Sequence, residues 1–161
     1  MVNASTQSEA GDKQHSDCLH VENAALRLIA RAEQCAGGLS RKLKKRGYDK
    51  YSVNSVIEKL CDLQLIDDNR FARLWLESRL HLTRSPKRLL ISLCARGIDR
   101  DDAEAALRNV LDADVENALL VRFAKKYARK FKSEDSRSLK YFLRSEGFSS
   151  GAICEYLDGE L

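Results

Sequence analysis

Leu39, Leu89 and Leu139 stand fifty residues apart, as do Leu43, Leu93 and Leu143 and the glycines Gly47, Gly97 and Gly147. A large apolar residue follows each glycine (Tyr48, Ile98, Phe148), and then a residue able to cap a helix (Asp49, Asp99, Ser149). Ile57, Leu107 and Leu157 keep the same register. Leucines four apart share one face of a helix. A glycine four residues later falls at C′ of that helix, where φ > 0 suits glycine best. The second leucine then lies at C3 and the apolar residue at C″, the contact that accompanies a Schellman stop. The pattern predicts, in each unit, a helix, a tight corner and a second helix with Asp49, Asp99 or Ser149 as its N-cap. Asp102, in the first turn of one such helix, adds a favourable interaction with the helix dipole.

One more helix precedes each pair. Apolar residues recur at helical spacing at 25, 28 and 29, at 71, 74, 75 and 76, and at 119, 120, 123, 124, 127, 128 and 131. The expected fold is all-α: nine helices in three tandem three-helix repeats, at 21–66, 67–112 and 113–161, stacked into an elongated, curved array. Residues 1–20 are rich in Ser, Asn, Gln and Asp and lack periodicity, so a disordered N-terminal extension is expected there.

Composition removes other classes. With 161 residues, 43% hydrophobic and 32% charged, the chain can build a core and is not a disordered polyampholyte. One proline and eight glycines leave too few turns for an all-β sandwich. Its apolar runs, such as 89–91 and 119–121, fall far short of the ~20 residues a membrane span needs. Residues 1–20 hold no apolar signal segment. No membrane association is expected, and the cytoplasm is the expected compartment. Five cysteines, spaced by 17, 26, 33 and 60 residues, read as reduced thiols, with Cys61 and Cys94 in apolar stripes as core.

Catalytic chemistry finds little footing. Only His15-x-x-Cys18-x-His20 clusters metal-ligand types, and nothing in the extension would fix its geometry. Gly37-Gly38 lacks the lysine and the preceding strand of a phosphate-binding loop. Neither HExxH nor GxSxG occurs, and His81 is the one histidine after residue 20. Asp67-Asp68, adjacent at a helix start, reads as a pair of caps rather than an acid–base pair. The chain is expected to be no enzyme and to need no metal or cofactor.

Charge is more informative. The formal net charge is +4, and residues 1–20 hold Glu9, Asp12 and Asp17 against Lys13, which leaves +6 for the rest. Residues 39–46 carry Arg41, Lys42, Lys44, Lys45 and Arg46 with no acid. Arg41 and Lys42 occupy places filled by Ile91 and Ser92, then by Tyr141 and Phe142. The first of these helices is therefore expected to have a narrower buried stripe and a wider wet face than its partners. A polar end repeat and an anion-binding face both account for that. Over 118–131, Leu120, Phe123, Ala124, Tyr127 and Phe131 fall on one side of a helix. Arg122, Lys125, Lys126, Arg129 and Lys130 fall opposite, again with no carboxylate among them. Phosphates or an acidic protein surface would satisfy either face.

The stretch Leu65-Ile66-Asp67-Asp68-Asn69-Arg70-Phe71-Ala72-Arg73-Leu74-Trp75-Leu76-Glu77-Ser78-Arg79 resembles the RecX family of bacterial recombinase regulators. The family shows Leu-(Ile/Leu)-Asp-Asp-x-Arg-Phe-Ala-x-x-(Trp/Tyr)-(Val/Leu)-x-x-Arg at this place. The resemblance extends over about residues 22–161 and agrees with the three-unit repeat. Departures lie outside that motif. Cys35-Ala36-Gly37-Gly38 stands where the family often opens a helix with Ser or Thr, so the usual cap is missing. Ser85 replaces a common glycine before Pro86, and Ser92 a common glutamate. The resemblance implies a negative regulator that docks in the helical groove of the RecA–DNA filament and inhibits RecA's ATPase, strand-exchange and coprotease activities. It would thereby modulate recombination, DNA repair and the SOS response, as a monomer, with weak, non-specific contact to single- or double-stranded DNA. Partner contact is assigned to the cationic faces. Asp67, Asp68, Arg70, Phe71, Trp75 and Arg79 are assigned mainly to architecture: caps, packing between repeats and pairs with carboxylates. A helix-turn-helix protein acting on DNA directly is the alternative, since the glycine corners resemble such turns. Asp101, Asp102, Glu104 and Glu155, on helices that would then face phosphates, count against it.

Overall fold

The computed structural model describes the backbone of residues 6–127 and 136–159, and side chains over 18–127 and 137–159. Among these residues the chain forms nine α-helices and no strand. They are α1 (Thr6–Ile29), α2 (Ala36–Lys45), α3 (Lys50–Asp62), α4 (Asp68–Glu77), α5 (Pro86–Cys94), α6 (Arg100–Val110), α7 (Ala113–Tyr127), α8 (Ser136–Ser145) and α9 (Ser150–Gly159). The helices follow one another in threes, an all-α array of three-helix repeats. By compactness they form two units. One runs to Phe71 and includes Arg96–Ile98; the other takes Ala72–Ala95 and the residues from Asp99 onward.

The fifty-residue period has the physical basis its sequence suggests. Gly47, Gly97 and Gly147 all take the left-handed conformation, with φ of 91°, 94° and 91°. After α2, the Tyr48 N–H donates to the Leu43 carbonyl at 3.4 Å and the Gly47 N–H to Lys44 at 3.0 Å. After α8, Phe148 donates to Leu143 at 3.2 Å and Gly147 to Arg144 at 3.0 Å. These are the two bonds of a Schellman stop. The next helix opens on its cap each time. The Asp49 carboxylate accepts from the Tyr51 and Ser52 N–H groups, that of Asp99 from Asp101, and the Ser149 hydroxyl from Ala152.

In the first unit, Val21, Ala24 and Ala25 of α1 meet Leu39 and Leu43 of α2 and Val53, Val56 and Leu60 of α3. Full burial of one such leucine or valine contributes about 1.5–3 kcal/mol. That outweighs the exposed Lys59–Glu22 pair at 2.8 Å, since surface pairs contribute about 0–1 kcal/mol. In the second unit α5 packs on α6, with Leu89 and Leu93 buried on one and Ala103 and Ala106 on the other. Around α7, the Phe123 ring lies 4.5 Å from Tyr127, 5.9 Å from Phe142 and 5.3 Å from Phe148, within the range of favourable aromatic pairs.

Three features depart from the sequence reading. The stretch expected to be a disordered extension is helical from Thr6, continuing the helix that Val21, Ala24 and Ala25 anchor. The only proline of the chain is Pro86, so no proline stops α1 from running back. Leu74, on the apolar stripe of α4, is exposed, whereas Trp75 and Leu76 are buried. Ile91 is 57% exposed and Tyr141 67%, so both face outward as Arg41 does. Residues 41, 91 and 141 lie two places beyond the buried Leu39 and Leu89 and the half-buried Leu139. At 100° per residue that is about 200° around the helix, the far side. The first repeat therefore differs from the later two in the polarity of this position, not in its burial.

Candidate functional site

The start of α2 is built without a side-chain cap of its own. Cys35 occupies the N-cap position in extended geometry (φ −96°, ψ 154°), and its side chain caps no backbone N–H. Instead the Asp68 carboxylate, at the start of α4, accepts from the Ala36 N–H at 2.7 Å. The Cys35 thiol turns the other way and donates to the Arg96 carbonyl at 3.3 Å. Burial pushes this thiol's pKa up, and nearby Asp68 pushes the same way against an opposing backbone hydrogen bond from Gly38. Gly37 touches Gly97 backbone to backbone: a Cβ on Gly37 would stand 2.8 Å from Gly97 Cα and 2.9 Å from its carbonyl oxygen. The Gly37-Gly38 pair is thus a packing requirement at this joint.

A joint of the same kind occurs fifty residues along, within the second unit. Cys35 and Arg96 are sixty-one residues apart, and so are Ser85 and Glu146. The Ser85 hydroxyl donates to the Glu146 carboxylate at 2.6 Å, and the Lys87 N–H donates to the Glu146 carbonyl at 3.0 Å. Ser85 is fully buried and also accepts from the Arg88 N–H as the cap of α5.

The central motif ties this arrangement together. Asp67 caps its own helix by accepting from the Arg70 N–H at 2.9 Å, while Asp68 serves α2. The Arg70 guanidinium pairs with Glu33 at 2.8 Å and reaches the Gln64 and Leu65 carbonyls at 3.5 and 3.4 Å. Gln64 is a non-glycine residue at positive φ, 55°. Phe71 is half-buried and Trp75 buried. Arg79 pairs with the Trp75 indole, its guanidinium carbon 5.7 Å from the ring centroid, rather than with a carboxylate. Its Nε is buried without a hydrogen-bond partner.

The cationic residues divide differently from the sequence reading. Arg41, Lys42, Lys44, Lys45 and Arg46 are all exposed along α2, which carries no carboxylate. Arg41 Nε donates to the Gly37 carbonyl at 3.3 Å and Lys42 Nζ to the Gln34 side-chain oxygen at 2.6 Å, which orients both heads. Lys44 and Lys45 stand in the last turn, where the helix dipole favours them. On α7, Lys125 and Lys126 are exposed opposite buried Leu120, Phe123 and Ala124. Arg122, though exposed, donates to the Leu80 carbonyl at 2.8 Å and so has a structural tie. Arg129 and Lys130 lie outside the described residues, as does the side chain of His15. Among the described residues no cluster of His, Cys, Asp or Glu could hold a metal ion. Among them, too, no helix is long and apolar enough to cross a membrane.

Comparison with known proteins covers the same repeats. A family model described as RecX, first three-helix domain, matches residues 23–60, and one described as RecX, second three-helix domain, matches 67–107. The "Regulatory protein RecX" of Treponema pallidum (strain Nichols) is 39% identical over 114 residues, 70% of each chain. That of Mycobacterium leprae (strain Br4923) is 32% identical over 142 residues, 84% of this chain and 82% of its own. The crystal structure of RecX from Lactobacillus salivarius superposes with a TM-score of 0.70 at 24% identity, over 90% of this chain and 97% of that one. At that identity the superposition speaks for the fold alone.

Proposed function

This chain belongs to the RecX family of regulatory proteins, and on that premise we propose that it is a negative regulator of the RecA recombinase. It binds the RecA–DNA filament in its helical groove as a monomer in the cytoplasm. It thereby lowers RecA's ATPase, strand-exchange and coprotease activities and modulates recombination, repair and the SOS response. No reaction of its own and no cofactor are needed, because a ligand that binds one filament state better than another shifts the population. The observation that carries the reading is the exposed, acid-free cationic face of α2 in a chain of this family. A nucleoprotein filament offers the anionic counterpart in DNA phosphates and acidic protein surface. Lys125 and Lys126, exposed on α7, are the second docking face, to which the sequence pattern adds Arg129 and Lys130. Direct helix-turn-helix recognition of DNA is less well supported, because the first turn of α6 presents exposed Asp101 and Asp102 to any phosphate it would approach.

The test is RecA's single-strand-DNA-dependent ATPase, titrated from far below the RecA concentration upward. Inhibition at a small fraction of the RecA present means action on the filament, because too few molecules exist to mask the DNA. Inhibition only in excess, or none, refutes the filament reading and favours plain competition for DNA.

A further inference from the structure

A cleft of about 410 Å³ opens in the first unit beside the start of α2. Arg41, Lys42 and Lys45 line it from α2, Arg96 from the α5–α6 corner, and the half-buried Phe71 ring from α4. Its one carboxylate, Glu33, is already paired with Arg70. The volume falls within the range of about 300–1,000 Å³ usual for small-ligand sites. Four cations around one concavity raise the local concentration of an anion.

The second joint shows that architecture does not demand this charge. Fifty residues on, the places of Arg41, Lys42, Lys45 and Arg96 are taken by Ile91, Ser92, Ala95 and Glu146, and that of Phe71 by Val121. That joint closes through Ser85 and Glu146 with none of the four cations. Within one chain, then, the same joint is built with these four cations and Phe71 beside it and with other residues in their places. Cations that track phosphates beside a ring that takes a base are the combination by which proteins hold unpaired nucleotides. A carboxylate-rich peptide would use the cations and leave Phe71 without a role.

We propose that the cleft binds one nucleotide unit, its phosphate between Arg41, Lys45 and Arg96 and its base against Phe71. The unit comes from single-stranded DNA or from a free nucleoside polyphosphate; a duplex, whose bases are stacked inside, offers no face to the ring. This affinity belongs to the chain alone and goes beyond the filament reading, so its test contains no RecA and the two can fail separately.

Fluorescence anisotropy of a labelled oligothymidylate is measured against the full chain over a range of KCl concentrations. The double variant Arg41→Ala/Lys45→Ala should flatten the slope of log K against log salt by about 1.4, since each cation on a single strand contributes about 0.7. Phe71→Leu should weaken binding about fivefold or more at unchanged slope, as expected for one lost stacking contact. Arg108→Ala, an exposed cation of α6 on the second unit, serves as the control and should leave the oligonucleotide affinity and its salt slope unchanged. Circular dichroism melts check that each variant is folded. Displacement by ADP at matched phosphate concentration identifies the free nucleotide as the source, and displacement by unlabelled oligonucleotide alone identifies the strand. The proposal is overturned by any of three results. These are no binding by the unaltered chain, slope and affinity indifferent to Arg41, Lys45 and Phe71, or displacement by poly-glutamate as effective as by oligonucleotide of equal charge.

Discussion

Replacing Gly37 by alanine tests the joint at its tightest point. A Cβ there would lie 2.8 Å from Gly97 Cα, 2.9 Å from its carbonyl oxygen and 3.2 Å from its carbonyl carbon. Carbon atoms rest at about 3.5–4.0 Å, so the two backbones must part by roughly 1 Å, and no flexible side-chain end is present to yield instead. Overpacking of this kind costs about 1–3 kcal/mol. Against it stands a helix-propensity gain of at most about 1 kcal/mol for alanine over glycine. The expected net loss is about 1–2 kcal/mol. Gly151 supplies the matched control, because it too is the second residue of its helix and a Cβ there meets nothing within 4 Å. Gly151→Ala should therefore keep the propensity gain without the clash and stabilise by a few tenths to about 1 kcal/mol. Urea unfolding followed by circular dichroism reads both, with an unchanged m-value required for the comparison. A Gly37→Ala midpoint equal to or above that of the unaltered protein would refute the claim that backbone contact fixes the Gly37-Gly38 pair.

Asp68→Ala should cost about 0.5–2 kcal/mol, the usual loss of a helix N-cap, although Asp68 belongs to a different helix from the one it caps. Asp68→Asn, which keeps an accepting oxygen, should recover part of that in the same urea assay. Asp49 has its pKa lowered by hydrogen bonds from Ser52 and then Tyr51. Its cap therefore contributes stability above the ordinary carboxylate value and loses it as pH falls through the lower folded value. The stability gap between the unaltered protein and Asp49→Asn should close on acidification, and a gap that widens would contradict the assignment. In thiol labelling followed by mass spectrometry at mildly alkaline pH, exposed Cys154 should react first and Cys35 last, because Cys35 is buried and its pKa is raised. Charge reversal of Lys125 and Lys126 to Glu should weaken binding to RecA filaments while leaving helicity intact; unchanged affinity removes the α7 face from the docking surface.

The repeat was legible because each of its parts has a local cause. A glycine at positive φ, a leucine at C3, an apolar residue at C″ and a cap one place later all lie within seven residues. The trans cap from Asp68 was not legible, since nothing local joins residues 36 and 68. A trace of it exists nonetheless. Asp49, Ser85, Asp99 and Ser149 all cap their own helices, whereas Cys35 cannot, and Asp67-Asp68 supplies two carboxylates where α4 needs one. The outward direction of Ile91 and Tyr141 follows from helix geometry, two places past an inward leucine, whereas their hydrophobic character alone predicts burial. Arg96 and Phe71 reach the α2 cleft from distant stretches of chain, and no spacing rule connects them to Arg41 and Lys45.

The charged residues of the motif that carries the family resemblance and the cations suited to partners therefore do different work. Asp67 closes α4, Asp68 closes α2, and Arg70 gathers Glu33 and the carbonyls of the turn at Gln64. Each uses its charge inside the fold. By taking up Glu33, Arg70 also removes the one acid of the neighbouring cleft from competition with an incoming anion. Arg41 and Lys45 are left exposed on α2, in a helix held by Asp68 at its first turn and by Gly37 against Gly97. Loss of Arg70 should then act twice, lowering stability and leaving Glu33 unpaired beside those cations. Loss of Lys45 should act on anion affinity alone. Urea midpoints and salt-dependent oligonucleotide binding, measured on Arg70→Ala and Lys45→Ala side by side, separate the two roles. Equal loss of stability in both variants would place Lys45 in the fold as well and refute the division.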